Sequence, residues 1–331
     1  MYQSKAKITA IGTYVPEKIL SNEDLEKMVD TNDEWIVQRT GMRERRIAAE
    51  NEYTSDLSYK AVSDMIKRYA VDVTDVDMIL VATSTAEYTF PNVASRIQQH
   101  FNIKQAGAID LGSACAGFVY GLQLADGMVS SGIHKKVLVV GAETLSKITD
   151  YTDRSTCILF GDGAGVVLIE RDDEHPGFIA SMSGTHGSGG GHLYRRTFAT
   201  EIDGMNIEKD AFLVQNGREV YKWAVRHVPE ASKQLIEQSG LQPEDIHWFV
   251  PHSANLRMIE SICMKGPIPI ERTLTSVEFR GNTSAASIPL AIQLGLDDGH
   301  LKYNDKMLLF GFGGGLTYAG VIMRWTVPDS N

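Results

Sequence analysis

Lys136-Val-Leu-Val-Val-Gly141 and Lys306-Met-Leu-Leu-Phe-Gly311 are one motif occurring twice, 170 residues apart. Each opens on lysine, runs through four apolar residues and stops on glycine, the pattern of a strand buried on both faces. The same offset recurs upstream. Ala61–Asp75 (AVSDMIKRYAVDVTD) leads into Met78–Val81, and Ala231–Asp245 (ASKQLIEQSGLQPED) leads into Trp248–Val250; both read as a helix followed by a buried strand. Gly165-Val-Val-Leu168 is echoed by Gly320-Val-Ile-Met323, and Gly12-Thr13 more weakly by Gly184-Thr185. Two copies of one unit are therefore expected, divided near Asp172 into halves of residues 1–172 and 173–331. Strands alternate with amphipathic helices in both, so two α/β halves packed side by side give a duplicated five-layer α/β/α/β/α fold. The Gly-rich, polar stretch Gly184–Asp210 lacks strong periodicity and is expected to be an irregular insertion, a candidate lid.

The 331 residues are 43% hydrophobic and 22% charged, which excludes disordered and fibrous classes. Asp and Glu number 42 against 32 Lys and Arg, a net charge of −10 that argues against bulk attraction to nucleic acid or anionic lipid. No apolar run reaches the roughly 18 residues of a membrane span, and the N-terminal stretch lacks the apolar core of a secretory signal. Cys115, Cys157 and Cys263 are widely spaced without a CxxC pair, which speaks against a disulfide framework or zinc site and for a cytoplasmic protein. His186 and His192 lie in the insertion without metal-ligand spacing, so no metal is expected.

Three places can carry chemistry. Ile109-Asp-Leu111 reads as a strand end, Gly112-Ser-Ala-Cys-Ala-Gly117 as a sharp turn, and Phe118, Leu122, Ala125 and Val129 as a helical stripe. Cys115 then sits at a helix N-terminus, where unpaired N–H groups lower a thiol's pKa and make a nucleophile. Small neighbours leave room for a substrate. Cys157, in a strand-like Thr156–Phe160, and Cys263, in a helix-like Met258–Cys263, read as core residues. His252 follows the apolar run Trp248-Phe-Val-Pro251, at a strand's C-terminal end where α/β proteins build sites. Gly281-Asn-Thr-Ser-Ala-Ala-Ser287 is a polar turn between strand-like Thr275–Phe279 and a helix bearing Ile288, Ile292 and Leu296. Asn282 alone could be a helix cap, but Gly112 stands 170 residues before it, so the two turns fall at pseudo-equivalent strand ends. Phe310-Gly-Phe-Gly-Gly-Gly-Leu316 looks like a phosphate loop, yet no helix follows it; a tight hairpin or a close backbone approach fits better.

The motifs GSACAG, PHSANLR (Pro251–Arg257), GNTSAAS and GFGGGLT (Gly311–Thr317), in this order, resemble β-ketoacyl-acyl carrier protein synthase III over nearly the whole chain, as do Thr31–Gly41 and Asp153-Arg-Ser-Thr156. The resemblance implies a thiolase-like homodimer that initiates fatty acid biosynthesis, with Cys115, His252 and Asn282 catalytic and the N–H groups of Cys115 and Gly314 forming an oxyanion hole. An acyl-CoA primer and malonyl-acyl carrier protein are the implied substrates, and no tightly bound cofactor is implied. It further places Trp35 and Arg154 about the adenine of coenzyme A with Arg39 on the phosphate side. Asn255, Gly217 and Phe312 would line the pantetheine channel, and Phe90 would enter the partner's acyl pocket. Two departures, Ser253 for the usual Gln and Arg280 for the usual Tyr, and a longer insertion bear on primer preference and suit a specialised second isoform. Carrier proteins are acidic, and Arg218, Lys222 and Arg226 recur every four residues on one helix face, with Arg257 as an extension, which makes a candidate docking stripe.

Rival readings are weaker. Papain-like proteases expect a different cysteine setting, thiolases a second Cys and elongating synthases a second His where Asn282 stands; chalcone-synthase-like chains are longer. A thiolase-fold acyltransferase with another acceptor, or a non-catalytic scaffold for carrier protein, are the alternatives that leave the motifs in place.

Overall fold

The computed structural model describes residues 3–207 and 211–328; the last three residues of the Gly184–Asp210 stretch lie outside the described residues. Nine main strands form two sheets. In the first, β1 (Ala6–Tyr14), β2 (Met78–Ala82), β3 (Gly107–Leu111), β4 (Lys136–Thr144) and β5 (Asp162–Arg171) stand in the order β1-β5-β4-β2-β3, with β4, β2 and β3 parallel and the β1–β5 and β5–β4 pairings antiparallel. In the second, β6 (Phe178–Thr185), β7 (Trp248–Pro251), β8 (Lys306–Gly313) and β9 (Thr317–Arg324) stand in the order β6-β9-β8-β7, again with the last pair parallel. Overlaid by the 170-residue offset, β4 and β8 are the two copies of the lysine-to-glycine motif. Gly12 of β1 and Gly184 of β6 likewise take matching edge places.

The second sheet lacks a counterpart of β3. Thr273 makes one parallel bridge to Phe249, and the Leu274 N–H bonds the Phe249 carbonyl at 2.9 Å. Pro267 and Pro269 just before it have no N–H to give a ladder, which stops a full strand from forming. The sequence expectation of a strand over Thr275–Phe279 is corrected accordingly: Val277–Arg280 is one helical turn.

Burial alternates along the strands in the way a sheet covered on both sides requires. Met78 and Leu80, with Val137 and Val139, face an inner core that also takes Val250, Leu309 and Val321 from the second sheet. Ile79, Val81, Leu138 and Val140 face the other way, onto α2 (Thr54–Tyr69) and α3 (Val93–His100), which follow α1 (Asp33–Thr40) in the chain. The inner core is filled by α4 (Gly117–Ser131), through Phe118, Leu122, Ala125 and Val129, and by the helix Ser287–Asp297, through Ile288, Ala291 and Ile292. On the outer face of the second sheet, Leu308, Phe310 and Ile322 meet α5 (Gly217–Ser239) and α6 (Leu256–Lys265), and Ser287–Asp297 is α7. The order is helices, sheet, helices, sheet, helices, the five layers expected of the duplication.

The Gly184–Asp210 stretch is more ordered than its composition suggests. Its first two residues finish β6, a 3-10 turn follows over Gly187–His192, Leu193–Arg195 pairs with Leu213–Gln215, and Glu201–Ile202 pairs with Met205–Asn206.

Candidate active site

Two turns define the centre of the molecule. After β3 the backbone enters φ = +43° at Ala114, makes one 3-10 turn over Ala114–Ala116 and starts α4 at Gly117. Ser284, 170 residues later, has φ = +48° and opens the turn Ser284–Ala286 before α7. A left-handed backbone at a residue bearing a Cβ costs about 1–3 kcal/mol, and both halves bear that cost at the same place. The turns pack against each other. Gly141 at the end of the repeated motif makes this possible, since a Cβ there would lie 2.3 Å from the Ala285 carbonyl oxygen.

A cavity of about 410 Å³ holds Cys115, His252 and Asn282 in one wall system, together with Trp35, Arg39, Gly217, Asn255 and Phe312. Arg154 is not part of the lining, but its guanidinium stands 4.8 Å from the Trp35 ring centre, while that of Arg39 stands 5.5 Å away. Trp35 thus carries two cations at the cavity wall. Phe90 is 84% exposed and outside the cavity.

Cys115 is only 8% exposed. The expected lowering of its pKa is not what the structure gives: burial pushes the thiol up to about 12, and the negative charge of Glu143 adds to this. Hydrogen bonds from the Ser284 side chain and from the N–H groups of Cys115 and Gly314 pull the other way and are outweighed. No cation stands close enough to hold a thiolate, because a short 3-10 turn separates Cys115 from the helix proper. The GFGGG segment forms the β8–β9 hairpin and passes directly over the thiol, where a Cβ on Gly313 would fall 2.9 Å from Sγ.

His252 is 1% exposed, and burial pulls its pKa down to about 3, against a weaker upward pull from a hydrogen bond with the Ser284 backbone. It is a neutral imidazole at physiological pH. Nδ1 is 2.7 Å from Ser287 Oγ, and the Phe312 ring meets the imidazole edge-on at 5.4 Å. Asn282 accepts the Ser284 N–H on Oδ1 at 2.9 Å, which leaves its amide N–H groups as the end available to a substrate.

Glu143 was not singled out from sequence. It is fully buried behind the cavity, takes the Thr85 hydroxyl at 2.5 Å and the Ser84 N–H at 3.1 Å, and burial raises its carboxyl to about 7. Its side chain also shares a hydrogen bond with Ser284. Ser284 was legible in principle, as the residue 170 beyond Ala114; nothing in the residues around Glu143 marks it.

The segment Thr156–Phe160, expected as a strand, is a series of turns ending in a single bridge from Phe160 to Asn282. The fully buried Arg45 guanidinium holds it by bonding the Ile158 carbonyl from Nε at 2.8 Å, and Ile158, Leu159 and Phe160 line the cavity. Cys157 and Cys263 are buried core residues. Leu193, Leu213 and Gln215, from the two-stranded element that begins in the insertion, close another side of the cavity.

Arg218, Lys222 and Arg226 are exposed along α5, and Val220, Trp223 and Ala224 are buried. Gly217, Val220 and Tyr221 of the same helix line the cavity, so the basic face starts at the cavity's edge. Lys222 pairs with Glu219 at 2.7 Å. Arg257 does not extend the stripe as a free cation: it donates to the Gln38 and Val37 carbonyls at the end of α1 and to Glu260.

Among the described residues no helix is long and apolar enough to cross a membrane. The 3-oxoacyl-[acyl-carrier-protein] synthase III family matches over residues 109–187, and its C-terminal counterpart over residues 236–325. Beta-ketoacyl-[acyl-carrier-protein] synthase III 2 from Bacillus cereus is 59% identical over 98% of this chain and 99% of its own length; that from Bacillus subtilis is 59% identical over 97% and 99%. The crystal structure of the synthase III from Thermus thermophilus superposes with a TM-score of 0.93 at 45% identity, covering 97% of this chain and 99% of that one. Sequence, architecture and the paired central turns agree, and the chain belongs to the β-ketoacyl-[acyl-carrier-protein] synthase III family of condensing acyltransferases.

Proposed function

We propose that this protein joins an acyl group, delivered as its coenzyme A thioester, to the two-carbon unit of malonyl-acyl carrier protein with loss of carbon dioxide, the initiating condensation of fatty acid biosynthesis. The observation that carries this reading is the meeting of Cys115, His252 and Asn282 in one cavity whose wall also bears Trp35 with two arginines.

In the first half-reaction the Cys115 sulfur attacks the thioester carbonyl, and the resulting oxyanion takes hydrogen bonds from the N–H groups of Cys115 and Gly314. One such donor contributes typically about 2.7–4 kcal/mol. Collapse expels coenzyme A as its thiol and leaves acyl-Cys115. In the second, malonyl-acyl carrier protein enters; His252 and Asn282 donate hydrogen bonds to its thioester oxygen, the terminal carboxylate leaves as carbon dioxide, and the enolate carbon attacks acyl-Cys115. The C–S bond to Cys115 breaks, and the thiol regains its proton. Uncharged donors suit this step, because a carboxylate in either place would repel the developing enolate.

Trp35, with Arg154 and Arg39, would hold the adenine and phosphates of coenzyme A, with Asn255, Gly217 and Phe312 along the pantetheine arm. The exposed face Arg218, Lys222 and Arg226 would receive the acidic carrier protein, and a second copy would bring Phe90 into its partner's acyl pocket. The reading is tested by incubating the protein with acyl-CoA thioesters of different chain length and branching, then adding malonyl-acyl carrier protein. Intact mass should rise by the acyl group and return to its starting value as β-ketoacyl-carrier protein forms. An adduct discharged only to water or to some other acceptor would refute the condensation. Trp35→Ala with Arg154→Ala should raise KM for acyl-CoA about tenfold or more while kcat/KM for malonyl-acyl carrier protein stays within twofold. Unchanged KM for the primer removes the clamp.

A further inference from the structure

A neutral imidazole has one N–H, and the nitrogen that carries it is set by the partner of the other. We infer that Ser287 is a positioning residue that fixes His252 as the Nε2–H tautomer, so that the ring presents a donor and not a lone pair to the thioester oxygen. This rests on the donor role given to His252 above.

The hydroxyl of Ser287 lies 2.7 Å from Nδ1. It has one proton and two lone pairs, and the Ser253 N–H already points at the oxygen from 3.3 Å. Accepting there, Ser287 is left with its proton to give to Nδ1, which must then be unprotonated. Two further contacts hold the arrangement. Ser276 donates its hydroxyl to the Ser287 carbonyl at 3.1 Å and its N–H to Ser253 Oγ at 3.0 Å. Ser253, Ser276 and Ser287 are all buried. Ser253 stands where the family usually has Gln, and a short hydroxyl there fits against Ser276 with no long amide to accommodate. The His252 N–H is fixed separately by the Phe310 carbonyl at 2.8 Å, and the Phe312 ring sets the imidazole plane. Ser287 begins α7, so the tautomer is tied to the same helix start that follows the Asn282 turn.

The test uses the whole enzyme with ¹⁵N-labelled histidine. In the wild type the His252 signals, assigned by their loss in His252→Ala, should show a bare Nδ1 and a protonated Nε2. Ser287→Ala should lose the hydrogen-bond shift at Nδ1 and populate both tautomers, with condensation slowed about tenfold and acylation of Cys115 within twofold of wild type. Ser287→Thr, which keeps the hydroxyl, should restore most of the condensation rate. A wild-type ring protonated on Nδ1 overturns the inference, as does a Ser287→Ala enzyme that condenses at the normal rate. If Ser287→Ala loses both half-reactions, the wild-type spectrum decides alone. Should His252→Ala still decarboxylate normally, the donor role itself falls, whatever the tautomer.

Discussion

Cys115→Ala is expected to form no covalent acyl adduct with any acyl-CoA, whereas Cys157→Ala and Cys263→Ala keep it. The three cysteines are all buried, so burial does not separate them. What does is the cavity, which reaches Cys115 and neither of the others, and the pair of N–H groups, from Cys115 itself and Gly314, directed at its sulfur. Cys157 packs in the cluster of Leu25, Ile36 and Phe160, and Cys263 faces the Thr273 hydroxyl at 3.4 Å. With the thiol raised to about 12, only about one molecule in 10⁵ carries a free thiolate at pH 7. Proton loss must therefore accompany attack or precede it rarely. The rate of acylation at subsaturating acyl-CoA should climb with pH through 7, 8 and 9 without levelling, and stopped-flow mass analysis across that range measures it. A plateau at neutral pH would mean a thiolate already formed, and adduct persisting in Cys115→Ala would remove the residue from the chemistry.

How much of this could be read from the chain is decided by the kind of signal involved. The layers and the two central turns were legible because duplication leaves the same pattern twice: β4 and β8 repeat one motif, and Ala114 and Ser284 repeat one strained turn. Alternating burial on strands covered on both faces is a property of a few consecutive residues. The two strands expected and not found failed where local pattern was overruled from a distance. Thr156–Phe160 is apolar enough for a strand, but Arg45 and Asn282, both far away in sequence, take its backbone groups one by one. Thr275–Phe279 follows a proline-broken approach and turns into a helical coil instead. In the site, motif spacing pointed to Cys115, His252 and Asn282 separately. It was silent on Glu143, whose importance lies in total burial against the thiol, and on the burial that reverses the expected direction of the Cys115 pKa.

His252→Ala and Asn282→Ala should each be acylated at Cys115 at near the wild-type rate and then stall. The donors to the first oxyanion are backbone N–H groups that neither substitution removes, so the acyl-enzyme still forms. The second half-reaction is different, because the charge left by departing carbon dioxide has to be received at the thioester oxygen in a cavity that excludes water. Removing one preorganised donor of this kind costs about 10²–10³ in rate, and each variant should release carbon dioxide from malonyl-acyl carrier protein that much more slowly. The two losses should not add, since the donors serve one oxygen and the survivor gains little by itself. Asn282→Asp should be worse than Asn282→Ala, as it replaces a donor with a charge of the enolate's own sign. The pH profile separates donation from acid catalysis. With His252 held down to about 3 by burial, the ring is neutral from about pH 4 upward. Condensation by pre-acylated enzyme should therefore have no limb between pH 5 and 8 that vanishes in His252→Ala. Such a limb would mean that an imidazolium acts, and carbon dioxide release at the wild-type rate in either variant would take that residue out of enolate stabilisation.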